Sequence, residues 1–522
     1  MSIRRTAALL LMSTATLALG ACGGADDVAS PGEGNLIVIA PPAPAPSTPA
    51  PPPPPATGGP FTGQTPAGLT DLGTVNNRRV FGLPSRFTQD TTLQNIPGAV
   101  YSIGGPVNVG TDVGGDGNAA GGQAVTLTIQ PGTILIASTG NDYLVVNRGS
   151  RLNANGTATQ PIIFTARANL EGTVTDSSQG LWGGIILLGR APISDCQAGA
   201  IGGAANCQQV IEGTTGSFYG GAMPNDNSGS LRFVQIRYSG FAIAPGNELQ
   251  GLTMGGVGGN TTIDHVQVHN SSDDGVEIFG GRVNTKYLAI TGADDDSLDT
   301  DLGYQGVNQF IVAVQRDSSN GDSMIEADSG GNEDALPRQN TRVSNATFIQ
   351  RGTTQGGNAI LLRGGTDYAL LNSIVTGPQA CLDIDGTADS TVRPADAALQ
   401  DLGPPVFRSV VLSCPTPFRD DTSITAAQIA AVFGTGTNNN NSTFTSTLAN
   451  VFVNGPNETA VPATNPTTFN TGAGAVNQFT AVNFIGAVQN ASDTNFAGWT
   501  CNASYVNFGS ASQNCTALPA NS

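Results

Sequence analysis

At 522 residues the chain would ordinarily divide into several domains, yet only 11% of it is charged and 69 positions are glycine. That charged fraction lies well below the roughly 25% of an average domain, and glycine with Thr, Asn, Val and Ile favours short strands and many turns over helices. The formal charge of −18 repels nucleic acid and anionic lipid and attracts cations or basic partners, so nucleic-acid binding is excluded as a function class.

Residues 1–22 read as a targeting segment, with Arg4 and Arg5 as the positive start and Thr6 to Leu19 as an apolar run too short for a comfortable membrane span. The run ends in Leu19-Gly20-Ala21-Cys22, which resembles the lipobox of bacterial lipoproteins. The resemblance implies lipidation at Cys22, and Gly23 in place of Asp after it implies an outer-membrane anchor. Residues 23–59 form a Pro-rich linker. Its densest part favours extended polyproline II, a spacer on the order of 60 Å that holds a folded body away from the bilayer.

Six cysteines remain: Cys196, Cys207, Cys381, Cys414, Cys501 and Cys515. An even number in an exported chain reads as disulfides, and sequential pairing closes the shortest loops. Metal ligation is the alternative, although no C-x-x-C pair is present and the two histidines lie elsewhere.

From Ala124 the pattern becomes regular. Val125, Leu127 and Ile129 alternate with Thr126 and Thr128, and Pro131-Gly132 turns the chain into the next strand. Further on, the runs beginning at Arg232, Asp264, Lys286, Phe310, Asn345 and Leu371 recur at intervals of 22 to 35 residues. The shorter intervals fit one coil of three strands; the longer ones require insertions, expected at Gly251–Gly259 and Gly330–Gln339. The series resembles the right-handed parallel β-helix proteins, whose coils open with a comparable L-T-I-x-P-G-T run. The expected fold is therefore all-β, a right-handed parallel β-helix over 60–386 followed by a disulfide-capped, β-rich region over 387–522. Ser423 is the expected cap of a short helix, Ile424 to Phe433. Asn438–Asn441 is an expected exposed loop, and Trp499 with a Cys501–Cys515 bridge an expected cover for the last coil.

The densest chemistry falls where the repeat is clearest. Asp273-Asp274-Gly275-Val276-Glu277-Ile278 recurs 22 residues later as Asp295-Asp296-Ser297-Leu298-Asp299-Thr300. Alternation turns Val276, Ile278, Leu298, Thr300, Leu382 and Ile384 inward, and Glu277, Asp299 and Asp383 outward beside Phe279, Asp301 and Asp385. Ile325 interrupts that outward column unless a slip at Met324 brings Glu326 into it. Asp273, Asp274, Glu277, Asp294, Asp295, Asp296, Asp299 and Asp301 thus crowd two neighbouring coils, where either water screens them or a cation neutralises them. Oxygen ligands of this kind suit Ca²⁺, against the plainer reading of a solvated turn ladder.

Two classes of function follow. A polysaccharide hydrolase would use Asp274 with Asp295 or Asp296 as acid and base, and a lyase would use Ca²⁺ with an Arg base, for which Arg282, Arg316 and Arg363 are present. Against both, the Gly-His-Gly and Arg-x-Lys runs of the pectin hydrolases are missing, and His265 and His269 fall on one strand face as isolated residues. The other class is a lipid-anchored, stalk-mounted envelope protein that binds glycan or another extracellular ligand, with Tyr287, Tyr304 and Phe279 as exposed rings for sugars; a purely structural or adhesive surface role belongs to the same class. The FGG-R-V-N-x-K-Y and DDDSLDTDLG runs with the terminal I-G-A…G-W-T resemble a family of bacterial outer-membrane or surface β-helix lipoproteins, which implies location and fold, and no activity.

Overall fold

The computed structural model describes residues 61–519 apart from 245, 317–320, 353–356, 386–389, 421–422 and 473–475. The leader, Cys22 and the Pro-rich linker lie outside the described residues. The described chain is a right-handed parallel β-helix. Two long parallel sheets, of 17 and 11 strands, wind around one apolar core. Each coil needs only short strands because the strand N–H and C=O groups pair with the coils before and after, not within the coil.

In the central coils the larger sheet is made of strands bent in two: Gly229–Arg237, Thr262–His269, Asn284–Thr291, Val307–Val314 and Asn340–Ile349. The bend falls at one residue of each, Phe233, His265, Tyr287, Phe310 and Asn345, and Asn372 and Ser409 continue the column between the paired short strands of the next two coils; all seven have positive φ, between 49° and 62°. The smaller sheet closes the third side with Leu252–Gly255, Val276–Phe279, Leu298–Asp301, Ile325–Ala327, Asn358–Leu362 and Ala380–Ile384. Val276, Ile278, Leu298, Leu382 and Ile384 point inward and are fully buried, as the alternation requires. Leu252–Gly255 sits inside the stretch expected to be an inserted loop; the actual insertion is the hairpin Phe241–Ala244 with Asn247–Leu249.

Parallel pairing does not stop near residue 386. It continues through Val406–Arg408, Val411–Ser413 and Thr416–Phe418. The last coil is then covered by the helix Ala426–Phe433, whose Phe433 ring lies 5.3 Å from Phe407 and 5.4 Å from Phe418. Thr425 caps it through a reciprocal box with Gln428, so the cap is two residues beyond the expected Ser423. Of the expected exposed Asn loop, Asn440 is buried and donates to the carbonyls of Phe407 and Phe433.

The remaining chain runs back along the bent strands as a strap. Asn372 meets Thr464, Gln309 meets Thr480, Asn345 meets Phe484, Gln267 meets Cys501, and Arg237 meets Cys515 and Ala517. Trp499 and the Cys501–Cys515 bridge therefore lie on the flank of the earlier coils. All three sequential disulfides are present, Cys196–Cys207, Cys381–Cys414 and Cys501–Cys515.

Candidate metal centre on the smaller sheet

The outward column of the smaller sheet carries the acidic groups. Its register pairs Thr253 with Glu277, Glu277 with Asp299, Asp299 with Glu326, Glu326 with Leu361, and Leu361 with Asp383. The slip at Met324 is realised: Glu326 continues the column, and Leu361 interrupts it one coil later. Beside the column, the Asp-Asp turns stack coil on coil. Asp274 Oδ1 accepts the backbone N–H of Asp296 at 2.8 Å, and Asp296 Oδ1 accepts that of Ser323 at 2.6 Å. Gly275 permits this stacking, because a Cβ there would come within 2.2 Å of Ile290 Cγ2.

These carboxylates face outward from the coil yet are not exposed. Glu277, Asp299 and Asp301 are each 1% accessible, because inserted loops lie over them. Carboxylate oxygens of Asp273, Asp274 and Asp295 lie within 4.8 Å of one another, and so do those of Asp274, Glu277 and Asp299. Two three-carboxylate nests thus share Asp274. At an effective dielectric of about 20, one pair of charges at that separation repels by roughly 3 kcal/mol. Asp273 Oδ2, Glu277 Oε2, Asp299 Oδ1 and Asp301 Oδ1 are buried with no hydrogen-bond partner, a cost that hydrogen bonds or a cation ordinarily remove. Burial pushes Asp273, Asp274, Asp295, Asp296, Asp299 and Asp301 well above the usual carboxylate range, with Asp295 and Asp273 raising Asp274 further and Asp301 and Asp274 raising Asp299 further. An all-oxygen set of hard donors at this spacing fits Ca²⁺.

Not every expected ligand joins. Asp294 is turned away, ion-paired with Arg316 and accepting from Gln179. Asp301 lies at the edge, beside Asp328 and Arg363. The candidate bases are occupied: Arg363 pairs with Glu326 at 2.6 Å and Asp328 at 3.0 Å, and Arg282 donates to the carbonyls of Gly281 and Gly303. His265 and His269 do not share a face, because His265 is the bend residue. Its ring stacks 4.5 Å from Phe233 and 4.3 Å from Tyr287, while His269 is fully buried against Thr291 and Tyr505.

The expected sugar platforms are not exposed either. Phe279 and Tyr304 are buried, and Tyr287 has His265 on one side and Phe310, at 4.8 Å, on the other. Four groups near the column were not among the expected ligands: Glu212 and Glu248 from inserted loops, which carry no local signal, and Asp322 and Asp328 from the coil after the repeat, on the run that also carries Glu326. Burial, and then Glu248, pushes Glu212 up to about 8; burial, and then Glu326, pushes Asp322 up to about 6. A cleft of about 440 Å³ lies elsewhere, between the strap and the early coils near Arg237.

A family model described as a pectate-lyase like beta helix domain matches residues 116–449. The chain belongs to that family. No curated protein and no solved structure matches it. For a pectate-lyase-like β-helix, membership accounts for the coil and the parallel sheets; the buried carboxylate column is read from this chain's own residues.

Proposed function

We propose that this protein is a lipid-anchored, stalk-mounted β-helix of the bacterial outer membrane that holds Ca²⁺ in its carboxylate column and binds extracellular glycan. The reading rests on one observation above all: buried carboxylate oxygens of Asp273, Glu277, Asp299 and Asp301 have no partner in the protein. Asp273, Asp274, Glu277, Asp295 and Asp299 would hold the ion, whose charge would add to that of Arg363, which already pairs with Glu326. Acidic glycans are the ligands to expect, since Ca²⁺ can bridge their carboxylates to an otherwise repelling surface. Anchoring would run through Cys22, and the Pro-rich linker would set the distance from the membrane.

The second reading, a polysaccharide lyase, is favoured by the family and by Arg363 beside the acids. Against it stand the burial of the column and the ion pairs that already engage Arg363 and Arg316. One experiment separates them: purified protein with acidic polysaccharides, in CaCl₂ and in EGTA. Calcium-dependent retention with no new ultraviolet absorbance supports the binding protein, new absorbance from unsaturated sugar ends supports the lyase, and no retention in either buffer rejects the glycan reading. Anchoring is tested separately: Cys22→Ser moves the protein from the membrane to the soluble fraction, and unchanged membrane recovery rejects it.

A further inference from the structure

The cleft between the strap and the early coils has a floor and a rim of different character. Ile163, Gln235, Arg237 and Thr500 are its buried lining, whereas Thr159, Gln160, Ala511 and Gln513 stand exposed around it. The strap closes on the coil at Gly498, where an added Cβ would come within 2.9 Å of the Ala158 carbonyl oxygen. The volume of about 440 Å³ falls in the range of small-molecule sites, roughly 300–1,000 Å³.

Arg237 is the one charged side chain of that lining, which holds no Asp or Glu, in a chain of net charge −18. Its guanidinium is fixed in place. Nε and Nη2 donate to Gln235 Oε1, while Nη1 donates to the carbonyls of Cys515 at 2.6 Å and Ala517 at 2.9 Å and reaches Asn169 Oδ1 at 3.5 Å. Gln235 is anchored in turn, its Nε2 donating to the Trp499 carbonyl at 2.5 Å. Those bonds leave one N–H on Nη2 without an acceptor among the described residues. Every acceptor named is neutral, so the charge is solvated and not balanced. Burial lowers Arg237 to about 10, which keeps it ionised at neutral pH. A buried charge with no counter-ion is costly, and a bound anion removes that cost. Asn95 Oδ1, in the same lining, is buried with no donor.

We propose that this cleft binds one uronic acid unit, with the sugar carboxylate on Arg237 and ring hydroxyls on Asn95, Gln160 and Gln513. One guanidinium balances one carboxylate, and amides that both donate and accept match a ring of hydroxyls. No residue of the carboxylate column lines the cleft, so the site needs no calcium and stands or falls apart from the column.

Glucuronate titrated into the purified full-length protein in EGTA, followed by ligand-observed NMR, tests this, with glucose and acetate as controls. Glucuronate should bind at one site, and glucose and acetate should each bind at least about tenfold more weakly, for want of the carboxylate and of the hydroxyls. Arg237 also holds the strap, so the decisive variant is Ala511→Trp, an exposed change that fills the cleft. It should abolish glucuronate binding and leave the melting temperature unchanged, while Gln160→Ala should weaken binding several-fold. Absence of glucuronate binding overturns the site, as does binding that glucose or acetate matches. Binding that survives both variants, or that appears only in CaCl₂, also overturns it, the latter by moving the sugar to the column.

Discussion

Two flanks of the coil are buried by chain that does not belong to the repeat, and they are buried in opposite ways. On the bent-strand flank the strap meets side-chain amides. Gln267 donates to the Cys501 carbonyl and accepts its N–H, Gln309 does the same with Thr480, and Asn372 with Thr464. An amide presents a donor and an acceptor, so each can satisfy both backbone groups of an extended strand crossing it. On the smaller sheet the insertions meet carboxylates, and Glu212 and Glu248 bring more of the same charge. Ionised carboxylates only accept, so the protein alone leaves oxygens unpartnered there. One flank is closed by the chain; the other leaves buried carboxylate oxygens unpartnered, which is what the proposed cation would answer.

Substitutions on the two flanks should therefore respond differently to calcium. The largest expected effect is on the amide flank. Gln267→Ala leaves a buried N–H and a buried carbonyl of Cys501 unpaired, a loss of roughly 2–6 kcal/mol at ~1–3 kcal/mol per group, the same in CaCl₂ and EGTA by urea denaturation. On the acidic flank the sign should reverse with the buffer. Asp274→Asn with Asp299→Asn removes repulsion in EGTA and raises stability by roughly 2–3 kcal/mol, yet lowers it in CaCl₂ by removing ligands.

A pH series sharpens the contrast further. Glu212 at about 8 and Asp322 at about 6 bind protons more tightly folded than unfolded. Their contribution is therefore full below the unfolded carboxylate range near about 4.5, and is lost as pH rises through 6 to 8. The melting temperature in EGTA should fall across that window by the equivalent of about 1–2 kcal/mol, and should stay nearly flat in CaCl₂. The smallest effect belongs to Glu171→Gln. Its ion pair with Arg167 is exposed and outside the nests, so the loss should stay under about 1 kcal/mol and ignore calcium.

The coil was legible because it repeats: the 22-residue shift between Asp273 and Asp295, the inward Val276, Ile278 and Leu298, and the even cysteine count are local signals. So was the crowding of Asp274, Glu277 and Asp299. The histidine faces were misread because alternation assumes a straight strand, and the bend at His265 breaks it. Nothing in the residue type announces that bend: Phe233, Tyr287 and Phe310 adopt a left-handed conformation more often seen in Gly or Asn. Phe279 was misplaced because its exposure depends on the insertions packed against it, and Tyr304 because its ring joins the coil core and donates to the Val283 carbonyl. The strap joins residues more than 200 positions apart, as Gln267 to Cys501, and Glu212 reaches Glu277 only through folding. No local pattern encodes either contact.

The central claim is that the carboxylate column of the native coil binds Ca²⁺. Thermal or urea unfolding of the wild-type protein across a calcium titration tests it most directly. The unfolded chain scatters Asp273, Asp274, Glu277, Asp295 and Asp299, so stability should rise with calcium, by about 2.7 kcal/mol at 100 times the dissociation constant, and EGTA should reverse the gain. An unfolding curve that does not move between EGTA and millimolar calcium would contradict the account.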